Sequence, residues 1–318
     1  MKLVASVVFV VMVAYGIHLC VRKEFPVHSS GGVVITGASS GIGLHAAQHL
    51  AKKGYRVYAT VRRPIDVDKL SAFDLPLLNP IIMDVTDAPS IDKSVKFIIS
   101  DLAAHNIPLV ALVNNAGAPA NCPVELTDLE DARANFEVNY FGVLAVTQRF
   151  LPLLRETGKG ARVVMVSSLA GLISSDNGNP YSATKFALEA LSEALRYEVA
   201  HFGISVSVIN PAYVETAISK KSTALKDKSR TTYTSEQLTL YNHVIGEKRV
   251  NRSHAIASKG DSPEVTTTAI TDAICSPYPQ VRYIVANVDG TPAWIFAYMK
   301  YFLPERLTEK IVLFFNEL

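Results

Sequence analysis

An apolar run that leads directly into a glycine-rich loop is the feature that most limits how this chain can fold. The run from Val33 to Ile35 is β-branched, as expected of a buried parallel strand. The loop from Thr36 to Gly43 reads T-G-A-S-S-G-I-G, and the amphipathic residues 44–53 follow it. A Gly/Ser loop without a ligand would not need a strand before it and a helix after it. The pattern therefore predicts a strand–loop–helix unit that binds a nucleotide.

Each glycine of the loop has a distinct expected task. Gly37 permits a tight turn, Gly41 lets a phosphate approach the backbone, and Gly43 lets the helix pack closely. The first N–H groups of the helix and its positive dipole end would then face the phosphates.

Strand-like and helix-like segments continue to alternate after this unit. Residues 55–61 and 162–166 are further apolar, β-rich runs. Alternation of this kind predicts an α/β fold with a doubly wound parallel sheet of the Rossmann type. The 318 residues fit one catalytic domain, expected at 33–290, with additional segments at its ends.

A tyrosine and a lysine four residues apart supply the candidate chemistry. Tyr181 and Lys185 would lie on one face of a helix, and Ser168 precedes them by thirteen residues. A neighbouring ammonium is expected to lower the pKa of the phenol, which could then exchange a proton with an alcohol oxygen. A surface Tyr/Lys pair on an ordinary helix is the alternative for this motif taken alone.

Seven motifs follow one another in the sequence: the glycine loop, Asp84, the Asn-Asn-Ala-Gly run at 114–117, Asn139, Ser168, the Tyr181/Lys185 pair, and residues 210–216, where Ala212 replaces the usual Gly. In order and spacing they resemble the short-chain dehydrogenase/reductase family over about residues 30–290. The V-Y-A-T-V-R segment at 57–62 resembles the 17-beta-hydroxysteroid and retinol dehydrogenase branch of that family. The resemblance implies the catalytic residues Ser168, Tyr181, Lys185 and Asn139. It implies that Tyr181 and Lys185 also contact the cofactor, together with Gly37, Ser39, Ser40, Gly41, Ile42, Gly43, Arg62, Asp84, Val85, Asn115, Ala116, Gly117, Pro211, Val214 and Thr216.

The resemblance also implies how these residues act. Lys185 would hold the cofactor ribose, Ser168 would bind the substrate oxygen, and Tyr181 would donate or accept the proton. Asn139 would hold a water that links Lys185 to solvent.

The end of the second strand indicates the cofactor. Enzymes of this fold that use NAD usually carry an acid there, but this chain has Val61, then Arg62 and Arg63, and no acid before Asp66. A guanidinium can pair with a 2′-phosphate, and Ser39 and Ser40 could add hydroxyl contacts. The sequence therefore predicts NADP(H), carried mainly by Arg62. Two solvated arginines after a strand are the alternative.

The N-terminus predicts a membrane anchor over residues 1–23, with a linker at 24–32. No charge occurs from Leu3 to Val21, and about nineteen residues at 1.5 Å each nearly span a core of about 30 Å. Arg22 and Lys23 follow the run, which favours a single-pass protein of the endoplasmic reticulum or another endomembrane with a cytosolic catalytic domain. A cleaved signal peptide is the alternative.

Two later segments depart from the alternating pattern. Residues 218–259 are first polar and basic, then helical near Ser235–Glu247; the family resemblance implies a substrate lid, and a tolerated surface insertion is the rival. Tyr213, Leu238, Leu240 and Tyr241 are candidates for lining a long pocket there. Residues 291–318 are apolar and aromatic, which suits either a membrane-interface element or a packing helix.

The expected partners are a lipophilic small molecule and membrane lipid, with a homodimer as a further option. A net charge of +2 predicts no nucleic-acid surface, and three scattered cysteines predict neither a disulfide framework nor a metal site. The favoured function is NADP(H)-dependent oxidation or reduction of a steroid, retinoid or sphingoid-type substrate. The same chemistry on a small polar carbonyl, and a non-catalytic nucleotide-binding membrane protein, are the alternatives.

Overall fold

The computed structural model describes residues 22–216 and 232–317, so residues 1–21 of the expected anchor and residues 217–231 of the expected lid lie outside the described part. The described strands are β1 Gly32–Ile35, β2 Arg56–Val61, β3 Leu78–Ile82, β4 Leu109–Asn114, β5 Asn121–Cys122, β6 Arg162–Val166, β7 Asn179–Pro180, β8 Ser205–Pro211, β9 Arg282–Val285, β10 Asn287–Val288 and β11 Thr291–Pro292. The first strand begins at Gly32, one residue inside the expected linker.

The described helices include six that follow strands of the main domain. These are α1 Gly41–Lys52, α2 Pro64–Ser71, α3 Ala88–His105, α4 Leu129–Phe136, α5 Gly142–Thr157 and α6 Tyr181–Val199. The later helices are α7 Ser235–Leu240, α8 Asn242–Ile245, α9 Glu247–Ser258, α10 Pro263–Cys275, α11 Ala293–Phe302 and α12 Glu305–Glu317. Three short helices thus follow residue 232, where the sequence predicted one near Ser235–Glu247.

The main sheet has seven parallel strands in the order β3-β2-β1-β4-β6-β8-β9. The connection order reverses beside β1, which lies between β2 and β4. In sheets of this kind a ligand binds beyond the carboxyl ends of the strands at that reversal. The predicted doubly wound fold is confirmed.

Two hydrophobic cores cover the faces of the sheet, because successive strand residues point to opposite sides. Val33 and Ile35 pack with Leu50 of α1 and Ile270 of α10 on one face. On the other face Val34 packs among side chains of three helices, including Ile98 of α3, Phe150 of α5 and Leu188 of α6. Burial on both faces explains the continuous apolar runs in the sequence.

The chain enters the domain along the amino ends of the strands. The N–H of Phe25 donates to the Pro277 oxygen at 2.8 Å, Arg162 Nη2 donates to the Pro26 oxygen at 2.9 Å, and the Tyr55 hydroxyl donates to the His28 oxygen at 2.7 Å. Residues 22–28 therefore lie at the edge of the sheet opposite to the carboxyl ends. No helix within the two described ranges is both long enough and apolar enough to cross a membrane.

Candidate active site

A cleft of about 330 Å³ opens at the carboxyl ends of β1, β2, β3, β4, β6 and β8. Its volume is in the range of small-molecule and cofactor sites. The predicted residues that line it are Gly37, Ser39, Ser40, Gly41, Ile42, Arg62, Asp84, Val85, Asn115, Ala116, Gly117, Ser168, Tyr181, Lys185, Pro211, Val214 and Thr216. Gly43 and Asn139 lie behind its wall.

The loop after β1 turns at two glycines with positive φ. Gly37 has φ 67°, and a Cβ there would lie 2.7 Å from the Ala116 Cα. Gly41 has φ 58°, and a Cβ there would lie 3.0 Å from the Thr216 Cβ. Both positions exclude larger residues by conformation and by contact.

Gly43 lets the first turn of α1 approach the loop. A Cβ at this position would lie 2.6 Å from the Gly37 oxygen and 2.4 Å from Asn115 Nδ2. The helix therefore starts directly at the cleft. Ser40, its N-cap residue, gives no side-chain hydrogen bond to the first N–H groups, which leaves these donors to face an anion.

Asn115 clamps the glycine loop to the end of β4. Its Nδ2 donates to the Thr36 oxygen at 2.9 Å and to the Gly37 oxygen at 3.2 Å. In return, the Thr36 hydroxyl oxygen accepts from the backbone N–H groups of Asn115 and Ala116, both at 2.9 Å. The loop is thus held in place before any ligand binds.

Tyr181 begins α6, and Lys185 follows one turn later on the same face. The Lys185 Nζ lies 5.7 Å from the centre of the Tyr181 ring and donates to the Val166 oxygen at 3.0 Å. Ser168 lies two residues after the end of β6 and forms a side-chain hydrogen bond with Tyr181. The predicted serine, tyrosine and lysine therefore meet at one end of the cleft.

Burial dominates the titration of this pair. It raises the pKa of Tyr181, and the hydrogen bond from Ser168 only partly opposes that effect. The sequence-based expectation of a lowered tyrosine pKa is therefore wrong for the protein described here. Burial also lowers the pKa of Lys185 to about 8, while the charge of Glu189 opposes this shift.

Asn139 lies in a π-helical turn, Glu137–Phe141, between α4 and α5, and it is fully buried. Its Oδ1 accepts from the Ala118 N–H at 2.8 Å, and its Nδ2 donates to the Ala118 oxygen and the Thr184 hydroxyl, both at 3.0 Å. The side chain thus ties the loop after β4 to α6, one residue before Lys185. Turns of this type often occur at functional sites.

The other end of the cleft lies beside β2. Val61 and Arg62 line it, and Arg62 is exposed. Arg63 instead pairs with Asp66 through both carboxylate oxygens, at 2.8 and 2.9 Å. The first acid after the strand is therefore engaged with Arg63.

Asp84, expected beside the adenine, also lines the cleft. Its Oδ1 accepts from the N–H and the hydroxyl of Thr86, at 2.9 and 2.7 Å. These bonds fix the carboxylate at the end of β3.

Sequence reasoning missed Lys69 and most of the residues that fill the gaps between motifs. The Lys69 Nζ, on α2, donates to the Ser39 oxygen at 3.3 Å, which brings a second cation to the glycine loop. The lining residues that had no role in the sequence-based predictions are Thr60, Met83, Ala118, Pro119, Val138, Val166, Ser167 and Ala212. Most of these residues are next to predicted site residues in the sequence. Their position at the ends of strands is the signal that could have identified them. Ala212, in place of the usual Gly, does not adopt a positive φ.

The described part of the expected lid contacts loops at the substrate end. The Tyr233 hydroxyl lies 3.0 Å from the Cys122 sulfur, and β5, which holds Cys122, pairs with β7 directly before Tyr181. Of the four candidate pocket residues only Tyr213 lines the cleft. Leu240 is exposed, and the Tyr241 hydroxyl donates to Glu125 at 2.5 Å.

Residues 32–227 match the family model described as short chain dehydrogenase. The uncharacterized oxidoreductase YbbO of Escherichia coli K12 is 32% identical over 280 residues, 88% of this chain and 93% of that protein. The NADPH-dependent 3-dehydrocapnine reductase of Ornithobacterium rhinotracheale is 29% identical over 87% of this chain and 94% of that protein. Retinol dehydrogenase 5 of Homo sapiens is 34% identical over 62% of this chain and 60% of that protein.

Proposed function

The chain belongs to the short-chain dehydrogenase/reductase family of oxidoreductases, and on that premise we propose that it interconverts a lipophilic alcohol and its ketone or aldehyde with NADP(H). One observation carries the proposal: a single cleft joins Ser168, Tyr181 and Lys185 at one end to the glycine loop and Arg62 at the other. A dinucleotide and a carbonyl substrate need such a pair of connected ends.

The cleft fits the cofactor that the family implies. The first turn of α1, with Ser39, Ser40 and Gly41, would hold the pyrophosphate, while Asp84 would lie at the adenine. When bound, the nicotinamide ring supplies or accepts the hydride.

The protein supplies orientation and the proton. With substrate bound, the Ser168 hydroxyl would donate to the substrate oxygen, and because Ser168 lies beside Tyr181 this places the phenol next to the atom that it must protonate. In reduction Tyr181 donates its proton to the developing alkoxide, and in oxidation it takes the alcohol proton back. Because burial raises its pKa, the phenol is present as the acid at neutral pH.

Three features support NADP(H) over NAD(H). Val61 at the end of β2 cannot accept hydrogen bonds from ribose hydroxyls, and Asp66 is engaged with Arg63. Arg62 and the nearby Lys69 present positive charge beside the glycine loop. A relative that is 29% identical is named for its dependence on NADPH.

A lipophilic substrate is supported by the relative named for retinol and by apolar surface close to the substrate end. The Lys300 Nζ, on α11, donates to the Leu172 oxygen at 3.5 Å and lies 5.0 Å from the centre of the Phe186 ring. Leu172 lies four residues after Ser168. Helix α11 is therefore a neighbour of the catalytic end.

Helices α11 and α12 expose an apolar surface that suits the membrane interface. Its members are Trp294, Ile295, Tyr298, Tyr301, Phe302, Leu307, Leu313 and Phe314, with Phe302 81% exposed. Trp and Tyr prefer the headgroup region, where lipophilic substrates also concentrate. We propose that these helices rest on the bilayer, in addition to the anchor expected over residues 1–23.

A substrate panel with purified protein tests the function. Retinoids, steroids, long-chain ketones and small polar carbonyls are compared by kcat/KM with NADPH and with NADH. Preference for a lipophilic member with NADPH supports the proposal. Preference for small polar carbonyls supports the same chemistry on another substrate, and nucleotide binding without turnover supports a non-catalytic role.

A further inference from the structure

A closed triangle of polar side chains lies directly behind the catalytic end of the cleft. The Asn210 Nδ2 donates to Glu189 Oε1 at 2.6 Å, and the Arg282 Nη1 donates to Asn210 Oδ1 at 2.9 Å. The third side is the ion pair of Arg282 with Glu189 Oε2, at 2.6 Å. Asn210 is fully buried, and the Glu189 side chain is only 11% exposed. Oε1 of this buried carboxylate is therefore hydrogen-bonded by Asn210, and Oε2 is held by the charge of Arg282.

The triangle touches the reacting end at two places. The Asn210 Nδ2 also donates to the main-chain oxygen of Ser168 at 2.9 Å, and so fixes the residue whose hydroxyl meets Tyr181. Glu189 itself follows Lys185 by four residues on α6, so Tyr181, Lys185 and Glu189 share one helix face.

We infer that Glu189 is a positioning residue of the oxidoreductase reaction, acting on Ser168 through Asn210 and on Lys185 through its own charge. The inference rests on the proposed function for the identity of the reaction. Glu189 is not among the residues that line the cleft, so its effect would pass through Asn210 and Lys185.

The charge effect has a defined direction. Tyr181 and Glu189 are the titratable groups that face Lys185 along α6, and Ser168 and Asn139 bring neutral groups from the opposite elements. Arg282 of β9 and Arg196 of α6 lie near Glu189 rather than near the Lys185 ammonium. Burial lowers the pKa of Lys185, and Glu189 is the group that opposes it. Removal of the Glu189 charge should therefore make Lys185 lose its proton at lower pH.

The test is Glu189→Gln with Glu193→Gln as the matched control. Glu193 lies one turn further along the same helix, is exposed and binds only the Tyr197 hydroxyl among the bonds found for it. The readout is the pH dependence of kcat/KM for NADPH, which reports groups of the free enzyme. In Glu189→Gln the alkaline limb should move down by about one pH unit, with kcat about tenfold lower. The control should retain the wild-type profile.

A double variant and an NMR measurement test the role of Glu189 independently of the first experiment. Glu189→Gln combined with Arg282→Gln leaves no uncompensated guanidinium, so it serves if the single variant does not fold. NMR titration of 13C-methylated Lys185, assigned with Lys185→Arg, follows the lysine pKa without any turnover. A wild-type protein inactive on every substrate would refute the proposed function, and the NMR titration would still decide the role of Glu189. An unmoved Lys185 pKa, or a loss of kcat without a shifted limb, would refute the inference.

Discussion

The ammonium of Lys185 lies 5.7 Å from the centre of the Tyr181 ring and is bonded to the Val166 oxygen, at the end of the neighbouring strand β6. The helix sets the spacing of the two residues, and the sheet sets their burial. Burial raises the pKa of the phenol and lowers that of the ammonium. The pair is therefore a protonated acid beside a lysine that titrates near neutral pH.

Tyr181→Phe should abolish most turnover while the fold and the cofactor affinity remain. The ring still packs at the start of α6, but the proton donor is lost, which costs about 10²- to 10⁴-fold in kcat. Tyr197→Phe is the control, since Tyr197 lies on the same helix with its hydroxyl on exposed Glu193. Steady-state kinetics and NADPH fluorescence titration measure the two effects. Near-normal turnover of Tyr181→Phe would exclude this mechanism.

The reduction should fail at alkaline pH because of Lys185. With a pKa of about 8, the lysine is a cation below that pH and loses its charge above it. We expect kcat/KM for NADPH to be flat below about pH 7.5 and to fall about tenfold per unit well above pH 8. The pKa of Tyr181 is raised, so the phenol does not cause this fall. A profile flat to pH 10 would contradict the assignment.

Lys185→Met should lower the activity of the protein but stabilise its fold. The folded pKa of Lys185, about 8, lies below its ordinary value of 10.5, so the unfolded chain binds the proton more strongly. Burial of the charged Lys185 therefore lowers the free energy of unfolding. This destabilisation is fully present below pH 8 and disappears as pH rises from 8 to 10.5. The substitution also loses the hydrogen bond to the Val166 oxygen, which offsets part of the gain. We expect the free energy of unfolding to rise by about 1–2 kcal/mol at pH 7 and the Tm to rise by about 2–6 °C. Calorimetry at pH 7 and pH 10 measures the stability of the variant relative to wild type. An equal gain in stability at both pH values would contradict the prediction.

Arg62→Ala should erase most of the preference for NADPH, and Val61→Asp should turn it toward NADH. A charge-assisted contact of this kind contributes about 1.5–3 kcal/mol, or about ten- to a hundredfold in affinity. Lys53→Ala, at the exposed end of α1, is the control for loss of a positive charge. The ratio of kcat/KM for the two cofactors is the measurement. A wild-type ratio that favours NADH would overturn the assignment.

Substitution of Tyr301 and Phe302 by Ser should weaken membrane association if α11 lies at the interface. The side chains are 70% and 81% exposed, so the fold should tolerate the change. Liposome flotation of protein lacking residues 1–21 isolates this contribution from that of the expected anchor. Phe97→Ser, an exposed apolar residue of α3, is the control. Equal flotation of all variants would favour packing against protein instead.

Local patterns in the sequence were sufficient to predict the α/β architecture of the protein. The run Val33–Ile35, the glycine loop and the later apolar runs predicted the parallel sheet, because buried strands must be apolar on both faces. The family resemblance supplied 17 of the 27 described residues that line the cleft, and they lie together because parallel strands end at one edge.

Only the tertiary structure decided the surroundings of the catalytic side chains and the contacts between distant segments. Only the burial of Tyr181 reveals that its pKa is raised rather than lowered, since desolvation depends on every surrounding element. The approach of Lys69 to Ser39 and the triangle of Glu189, Asn210 and Arg282 join segments 21 to 93 residues apart, which no local pattern encodes. The sequence by itself determined the fold and the chemistry of Ser168, Tyr181 and Lys185. Packing decided how those groups are charged and what holds them in place.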